Sequence, residues 1–267
     1  MSLSYLLLLA LVQGVTEFLP VSSSAHLILL PSLAGAQDQG LALDVAVHVG
    51  TLAAVILFFR TDVMRAAAGL TALARGRAEG PDAQLALMLI VATVPVVVAG
   101  LILKVTGLSD AMRSIAVIGW AMILFGIVLY MADRWGPEKK TSQDWTLREA
   151  AIMGLWQALA LIPGTSRSGA TITGARALGY RRADGTRFAM LMSIPTIIAS
   201  ATLLSLDVVG QADWQLARAA GIAAAMSFVA AIVALSLMMR LLRSVSFTPY
   251  VVYRLLLGAV LLAVAYG

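Results

Sequence analysis

The sequence predicts an all-α integral membrane protein with six transmembrane helices and two re-entrant helix hairpins, arranged as an inverted-topology repeat. Three observations lead to this prediction: the composition, six long apolar stretches, and two apolar regions that are each broken near their middle. Apolar residues make up 60% of the 267 residues, charged residues make up 12%, and the mean hydropathy is +0.91. Soluble domains are nearer half apolar and a quarter charged. The composition therefore excludes a soluble enzyme, a nucleic-acid-binding protein and a disordered chain.

Six stretches are long and apolar enough to cross a bilayer. A helix needs about 20 predominantly apolar residues to span the hydrocarbon core. The six predicted spans are Leu41–Phe59, Gln84–Leu103, Ser114–Ala132, Ala183–Leu206, Ala217–Met239 and Phe247–Tyr266.

Two further apolar regions are broken by proline and small polar residues. Ser4–Ala34 is interrupted at Pro20–Ser24, and Thr146–Leu178 is interrupted at Pro163–Gly169. Non-helical backbone at membrane depth is tolerated only where protein or a wet cavity surrounds it. We therefore expect two re-entrant hairpins whose breaks meet inside the protein.

The order of elements is hairpin plus three spans, twice. Repeat 1 covers about residues 1–135 and repeat 2 covers about residues 144–267 of one membrane domain. The Gln13-Gly14 pair, before the first break, has a counterpart in Gln157-Ala158, and Ser/Thr clusters follow both Pro20 and Pro163. An odd number of crossings per repeat inverts the second copy, as in inverted-repeat transporters.

The basic residues give the predicted orientation. Loops on one predicted side carry fourteen of the 19 Lys and Arg residues, and the net charge of +5 mostly reflects these basic loops. The positive-inside rule places that side in the cytoplasm. The first hairpin then enters from outside, and both termini are external. The fourteen are Arg60, Arg65, Arg75, Arg77, Arg134, Lys139, Lys140, Arg148, Arg176, Arg181, Arg182, Arg187, Arg240 and Arg243, against Lys104, Arg113 and Arg218 on the other side.

Residue counts exclude several kinds of chemistry. The chain has no cysteine, so it has no disulfide, thiolate nucleophile or Cys-ligated metal. Two histidines cannot form a multi-histidine zinc site. No Lys or Arg precedes Arg60, whereas a secretory signal has a basic start. We expect the first apolar segment to belong to the mature protein.

Few charges remain at membrane depth once the loops are set aside. A charge at the bilayer centre costs about 2.5–3.5 kcal/mol on insertion scales, so each one is a functional candidate. Glu17 and Arg167 lie beside the two breaks, in opposite repeats. Breaks that meet would place both side chains in one cavity.

That cavity would carry the groups of a phosphoryl-transfer site. Free backbone N–H groups at the start of a helix bind anions, and arginine offers a planar fork to phosphate oxygens. Hydroxyls on the first break could act as nucleophile or position water, and His26 could exchange protons. Gln13 and Glu17 share one helix face and could hold a divalent cation. The anion-binding candidates are Ser22, Ser24, Gly164, Thr165, Ser166, Arg167, Ser168, Gly169 and Thr171.

Simpler structural roles compete with these assignments. Glu17 and Arg167 could form a buried structural ion pair, and the serines of the first break could cap a helix. His48 is better explained as an interhelical hydrogen bonder. Arg254 could extend its charged end to the membrane surface or pair with a nearby residue, and this interpretation places it outside the site.

Two segments resemble the signatures of the bacterial undecaprenyl-diphosphate phosphatases, the bacitracin-resistance family. Gln13–His26 matches the first, written as Glu or Gln, three residues, then Glu. Pro163–Thr171 matches the second, Pro-Gly-x-Ser-Arg-Ser with a following Thr. Leu43–Thr51 and Phe188–Pro195 are similar to further family segments. The resemblance covers essentially the whole chain.

The resemblance implies a multi-pass enzyme of the bacterial inner membrane that hydrolyses undecaprenyl diphosphate, recycles the lipid carrier for cell-wall synthesis and confers bacitracin resistance. Glu17 and Gln13 would bind a divalent cation, magnesium or calcium. Arg167 would bind the diphosphate, with Ser166 and Ser168 in support, and His26 would be the acid/base. Ser23 or water would be the nucleophile. The site would open toward the periplasm.

A different function class fits the same architecture. Broken helices in inverted repeats are what alternating-access carriers use, so a transporter or flippase for a polyprenyl phosphate lipid is the alternative. A pure carrier would release no phosphate. The expected partners are the polyprenyl diphosphate and the bilayer, not nucleic acid, and any lipid-facing surface could form a homo-oligomer. The sequence leaves the nucleophile, the cation, the tail length and the oligomeric state open.

Overall fold

The computed structural model describes residues 2–35, 39–108, 112–208, 214–242 and 244–267, and the side chains of 32–34 and 205–208 are not considered. Arg243, one of the predicted loop cations, lies outside these residues. The described residues form α-helices joined by short connections and one 3-10 turn. The helices are α1 Leu3–Thr16, α2 Ser23–Ala34, α3 Leu41–Phe58, α4 Arg60–Ala74, α5 Pro81–Thr106, α6 Ile115–Trp135, α7 Leu147–Leu159, α8 Arg167–Ala177, α9 Arg182–Val208, α10 Trp214–Leu241 and α11 Thr248–Tyr266.

The six predicted spans are confirmed. Among the described residues, six helices are long and apolar enough to cross a membrane: α3, α5, α6, α9 as far as Leu204, α10 and α11. Many large apolar side chains on these helices are exposed, for example Val94 on α5 and Val260 on α11. Exposed apolar surface of this extent fits a lipid solvent and not water. The chain is a multi-pass membrane protein.

Each broken region is a pair of helices with a short non-helical connection. The first connection joins α1 to α2 and the second joins α7 to α8. Thr146 begins α7 with a capping box, because its hydroxyl accepts from the N–H of Glu149 while the Glu149 carboxylate accepts from Thr146. The two-helix organisation is as predicted. Whether either pair re-enters the membrane, and whether the two halves are inverted copies, stay predictions.

The first helix of each pair packs against the other half of the chain. α1 lies on α10, and α7 lies on α5. Both contacts are close because glycine lies at them. A Cβ on Gly14 would come within 2.5 Å of the Ala230 Cβ, and a Cβ on Gly154 would come within 2.5 Å of the Ala92 carbonyl oxygen. In both cases the first helix of a pair packs on a helix of the other half, as a two-fold relation between the halves would produce.

A buried ion network fixes one end of the bundle. The Asp133 Oδ1 accepts from Arg176 Nε at 3.0 Å and from Arg182 Nε at 2.7 Å, and its Oδ2 accepts from the Phe247 N–H at 3.1 Å. Arg176 is 1% exposed. Because these residues belong to α6, to α8, to α9 and to the start of α11, the network holds both halves together.

Candidate functional site: the contact between the two helix breaks

The two breaks touch each other inside the bundle. The Ser168 hydroxyl, on the first turn of α8, donates to the carbonyl of Leu19 in the first break at 2.9 Å. Arg254 of α11 donates to the carbonyls of both breaks, to Pro20 at 3.3 Å and to Gly164 at 3.1 Å. The predicted meeting of the breaks is therefore observed.

Glu17 lies at the centre of this contact. Its Oε1 accepts from Arg167 Nη2 at 2.5 Å, and its Oε2 accepts from Gln13 Nε2 at 2.8 Å and from the Ser23 hydroxyl at 2.6 Å. Glu17 is 6% exposed. Burying a carboxylate is costly unless it is paired and hydrogen-bonded, and here both oxygens have donors. Four residues that the sequence singled out thus form one cluster.

Arg167 is held from two directions. Its Nη1 donates to the Ser193 carbonyl of α9 at 2.9 Å, while Nη2 contacts Glu17. The Arg167 side chain is 16% exposed, so part of the guanidinium remains accessible. Guanidinium carries five N–H donors, and those not directed to Glu17 and Ser193 are available to an anionic ligand.

A serine with positive φ precedes the second helix of each pair. Ser22 has φ 72° and Ser166 has φ 70°, and they are the non-glycine residues with positive φ in the described part of the chain. Each has its hydroxyl oxygen 3.2 Å from the hydroxyl oxygen two residues on, in Ser24 and in Ser168. Non-glycine residues adopt this conformation at a cost and are found preferentially at functional sites. The next residues, Ser23 and Arg167, both contact Glu17.

The other predicted anion-binding residues differ in burial and in their hydrogen bonds. The Ser166 hydroxyl accepts from the Gly169 N–H at 3.1 Å and caps α8. The Thr171 hydroxyl donates to the Arg167 carbonyl at 2.9 Å, so in this structure it supports the helix. Thr165 is fully buried, and its hydroxyl has no hydrogen-bond partner among the described residues. Ser24 is exposed.

His26 does not join the Glu17 cluster. Its Nδ1 lies 2.7 Å from the Ser22 carbonyl, and its Nε2 lies 2.5 Å from the hydroxyl of Tyr253, on which the ring also stacks. Among the described residues His26 contacts neither Glu17 nor Arg167, and the acid/base role expected of it stays a prediction. A carbonyl only accepts, so Nδ1 carries a proton, while Nε2 lies against the Tyr253 hydroxyl.

His48 is the histidine nearest Glu17. Its Nδ1 lies 2.7 Å from the Asp44 carbonyl, which fixes the same tautomer, and its Nε2 is 3.8 Å from Glu17 Oε2. The interhelical role predicted for His48 therefore involves the cluster itself. Its side chain is 34% exposed. The sequence places His48 on a helix four residues after Asp44, but that spacing does not show which neighbouring helix the ring faces.

Sequence reasoning missed Arg254. It is fully buried and donates to four carbonyls, those of Pro20 and Gly164 and also those of Ala121 and Met122 at 3.4 and 3.2 Å. The interpretation of Arg254 as a snorkelling or locally paired residue is wrong. The signal was present, because an intramembrane charge is a functional candidate by the rule that selected Glu17 and Arg167.

The donor set allows a hard cation beside Glu17. The Oε1 of Gln13 is buried and has no hydrogen-bond partner among the described residues. An unsatisfied buried acceptor next to a carboxylate suits a divalent cation, which prefers oxygen ligands. Within those same residues, no cluster of three His, Asp or Glu side chains exists. Any cation here would therefore be held by one carboxylate and one amide oxygen, completed by water or ligand.

Comparisons with known proteins agree with the geometry. The family model described as "Bacitracin resistance protein BacA" matches residues 6–260. A protein named undecaprenyl-diphosphatase from Ruegeria pomeroyi is 65% identical over 267 residues, covering all of both chains, and one from Dinoroseobacter shibae is 64% identical with the same coverage. A protein of that name from Maricaulis maris is 46% identical, covering 98% of each chain. The chain therefore belongs to the bacitracin resistance protein BacA family.

Proposed function

We propose that this chain hydrolyses undecaprenyl diphosphate to undecaprenyl phosphate and inorganic phosphate at the Glu17–Arg167 cluster. The observation that carries the proposal is the contact of Arg167 with Glu17, which joins the two helix breaks at a buried position. An accessible arginine at a helix start, hydroxyls on both breaks and a buried carboxylate are the groups that phosphoryl transfer needs. Close relatives named undecaprenyl-diphosphatase support the substrate.

The diphosphate binds at the start of α8. The N–H groups of Arg167 and Ser168 and the positive end of the helix face an anion there, and the guanidinium neutralises the charge that develops in the transition state. Glu17 and the Ser193 carbonyl orient the guanidinium by holding two of its nitrogens. Thr165, whose buried hydroxyl has no hydrogen-bond partner in the described part of the chain, supplies a further donor to the phosphate.

The nucleophile is Ser23 or a water molecule in its place. The Ser23 hydroxyl donates to Glu17 Oε2 at 2.6 Å, and a carboxylate that accepts the proton makes the oxygen more nucleophilic. Attack at the terminal phosphorus forms a new O–P bond and breaks the bond to the bridging oxygen, which leaves with the lipid phosphate. A phosphoserine formed by Ser23 would then be hydrolysed, whereas water gives inorganic phosphate directly.

His26 is the acid/base candidate for the second proton transfer, to the bridging oxygen as it leaves or from the water that hydrolyses a phosphoserine. Its Nδ1 proton is fixed on the Ser22 carbonyl, so Nε2 is the nitrogen that accepts or returns a proton. The Tyr253 hydroxyl at 2.5 Å is its present partner. Neutral imidazole anchored at one nitrogen is a common arrangement for general acid–base catalysis.

Glu17 and Gln13 would hold a divalent cation, magnesium or calcium. When bound, the cation would neutralise charge on the phosphate oxygens. The Oε1 of Gln13, which none of the described residues contacts by a hydrogen bond, supports this assignment. A carboxylate and a neutral amide form a weaker site than two carboxylates.

The protein belongs in the bacterial inner membrane with its site opening toward the periplasm. The distribution of basic loop residues supports this orientation. Hydrolysis there regenerates the lipid carrier for cell-wall precursors, and loss of the diphosphate form removes the ligand that bacitracin sequesters.

The test is phosphate release by the purified protein in detergent from a long-chain polyprenyl diphosphate, with and without a chelator. We expect release that the chelator reduces. A folded, lipid-binding protein that releases no phosphate would contradict the proposal and favour the flippase. Transport of a polyprenyl phosphate across liposomes by the same preparation would then establish that alternative.

A further inference from the structure

An apolar cleft lies between α4, α5 and α9. Its volume is about 510 Å³, within the ~300–1,000 Å³ of ligand-binding pockets. Thr93 is its polar exception, and the Thr93 hydroxyl is already bonded to the Leu89 carbonyl at 2.6 Å. The cleft therefore offers hydrocarbon contacts and no free polar group of its own lining.

The fold holds this cleft open. Arg187 at the start of α9 forms a two-nitrogen ion pair with Asp62 of α4, with Nε 2.9 Å from Oδ2. α4 also lies tightly on α5, since a Cβ on Gly69 would come within 2.0 Å of the Asp82 carbonyl oxygen. α4 is thus fixed to both α5 and α9. The small side chains Ala66 and Ala67 on its inner side leave the cleft unfilled.

The cleft begins where the Glu17–Arg167 cluster ends. The Ser193 carbonyl holds Arg167, and the next residues of α9, Ile194 and Pro195, line the cleft. On α5, Val97 and Val98 line it. Gly100, within a turn of them, faces the Leu161 side chain of the second break, with 3.9 Å from a Cβ built on Gly100 to Leu161 Cδ2. The α9 wall therefore continues directly to the residue that holds Arg167, and the α5 wall reaches the second break.

We propose that this cleft binds the polyprenyl chain of the substrate whose diphosphate lies at Arg167. This inference rests on the proposed function and extends it to the tail. A cleft of about 510 Å³ takes only the first isoprene units of a long chain. The rest of a long chain lies in the bilayer.

The headgroup sets this occupant apart from ordinary membrane lipid. A phosphodiester lipid would present one bulky phosphate beside Arg167, with no terminal phosphate for the anion site of α8. Moving outward from Arg167, the cleft walls are apolar. A substrate with its diphosphate at Arg167 would therefore place its first isoprene units against them. Chain binding here aligns the terminal phosphorus by fixing the tail.

The first experiment is photocrosslinking. A polyprenyl diphosphate with a diazirine in an early isoprene unit is irradiated with the detergent-purified protein, and labelled peptides are mapped by mass spectrometry. We expect labels on α4, α5 and α9 that unlabelled polyprenyl diphosphate competes away. Labels confined to other helices, or equal labelling by a diazirine phospholipid that the diphosphate does not compete for, would overturn the proposal.

Two alanines on α4 give a matched pair of variants. Ala67 lines the cleft and Ala68, also exposed, does not. We expect Ala67→Trp to remove the labels and to raise the KM for a 55-carbon diphosphate about three- to tenfold, a modest factor because lipid supplies similar contacts. A five-carbon diphosphate should be unaffected, and Ala68→Trp should match wild type. Equal effects of both variants, or on both substrates, would contradict chain binding.

This design separates the two proposals. Phosphate release from the five-carbon diphosphate tests the catalytic cluster without the tail. Release without cleft labelling removes the tail site alone. No release from either substrate by the wild-type protein removes the proposed function, whatever the labels show.

Discussion

Glu17 and Arg167 are 150 residues apart in sequence, and their side chains meet with 2.5 Å between Oε1 and Nη2. Each residue lies beside a break between two helices, and the pair joins those breaks. Removing one partner of a buried pair leaves an uncompensated charge, which typically costs about 3–5 kcal/mol. The contact therefore links the integrity of the fold at this point to the chemistry proposed for it.

Arg254 is expected to position the site without touching the substrate. Arg254→Lys keeps the charge but cannot reach the carbonyls of both Pro20 and Gly164, and an unsatisfied buried group costs about 1–3 kcal/mol. We expect a lower melting temperature and a fall in kcat with the KM little changed. Thermal unfolding and steady-state phosphate release measure these effects. An unchanged kcat would show that the carbonyl contacts of Arg254 do not align the breaks.

The two histidines should differ sharply on substitution. His26→Gln removes the Nε2 base and should lower kcat by about 10²- to 10⁴-fold, the usual contribution of general acid–base catalysis. His48→Gln should retain most activity. The His48 Nε2 is 3.8 Å from Glu17, and Arg167 already provides the positive charge that pairs with the Glu17 carboxylate. Both variants are compared in one phosphate-release assay. The reverse order of effects would transfer the acid–base role to His48.

Gln13→Glu should tighten cation binding. A second carboxylate beside Glu17 would replace an amide that now donates to it at 2.8 Å, and carboxylates are preferred ligands of calcium and magnesium. We expect the apparent Kd for Mn²⁺, followed by electron paramagnetic resonance as a probe, to fall. Gln143→Glu, at an exposed position before α7, is the control. Equal affinity in wild type and Gln13→Glu would argue against a cation at this position.

Glu149 should make stability depend on acidity. Burial raises the pKa of its carboxyl, but hydrogen bonds from Lys140, Tyr180 and Thr146 outweigh burial and hold the pKa below its usual value of 4.5. A carboxyl with a lowered folded-state pKa stabilises the fold above the unfolded value, and this stabilisation is lost as the pH falls through the folded value.

The melting temperature of wild type should thus exceed that of Glu149→Gln above about pH 5, and the gap should narrow below pH 4.5. Differential scanning fluorimetry across pH 3–7 measures it. Glu79→Gln, on an exposed loop residue, controls for general charge effects. A gap that stays constant with pH would show that Glu149 does not titrate in this range.

Much of the fold was predictable because the membrane limits the alternatives. Length and hydropathy alone located the six spans, and proline among small polar residues located both breaks. The Glu17–Arg167 contact followed from the scarcity of intramembrane charge. These inferences need only the sequence pattern and the cost of burying a charge.

The remaining features depend on tertiary packing that no local pattern carries. The sequence does not predict positive φ at Ser22 or Ser166, because this conformation is usually signalled by glycine and both residues are serine. The carbonyl partners of Arg254 come from three separate segments, and the Tyr253 partner of His26 lies 227 residues away. Such contacts appear only once the helices are placed.

The most direct test of the central claim is phosphate release from a long-chain polyprenyl diphosphate by Arg167→Ala beside wild type, with exposed Arg148→Ala as the control. A Glu17→Gln/Arg167→Met double variant removes both charges and guards against misfolding, and melting temperatures accompany all four proteins. We predict a loss of at least about 10³-fold in both Arg167 variants and wild-type activity in Arg148→Ala. Appreciable release by a folded Arg167 variant would contradict the assignment of the site.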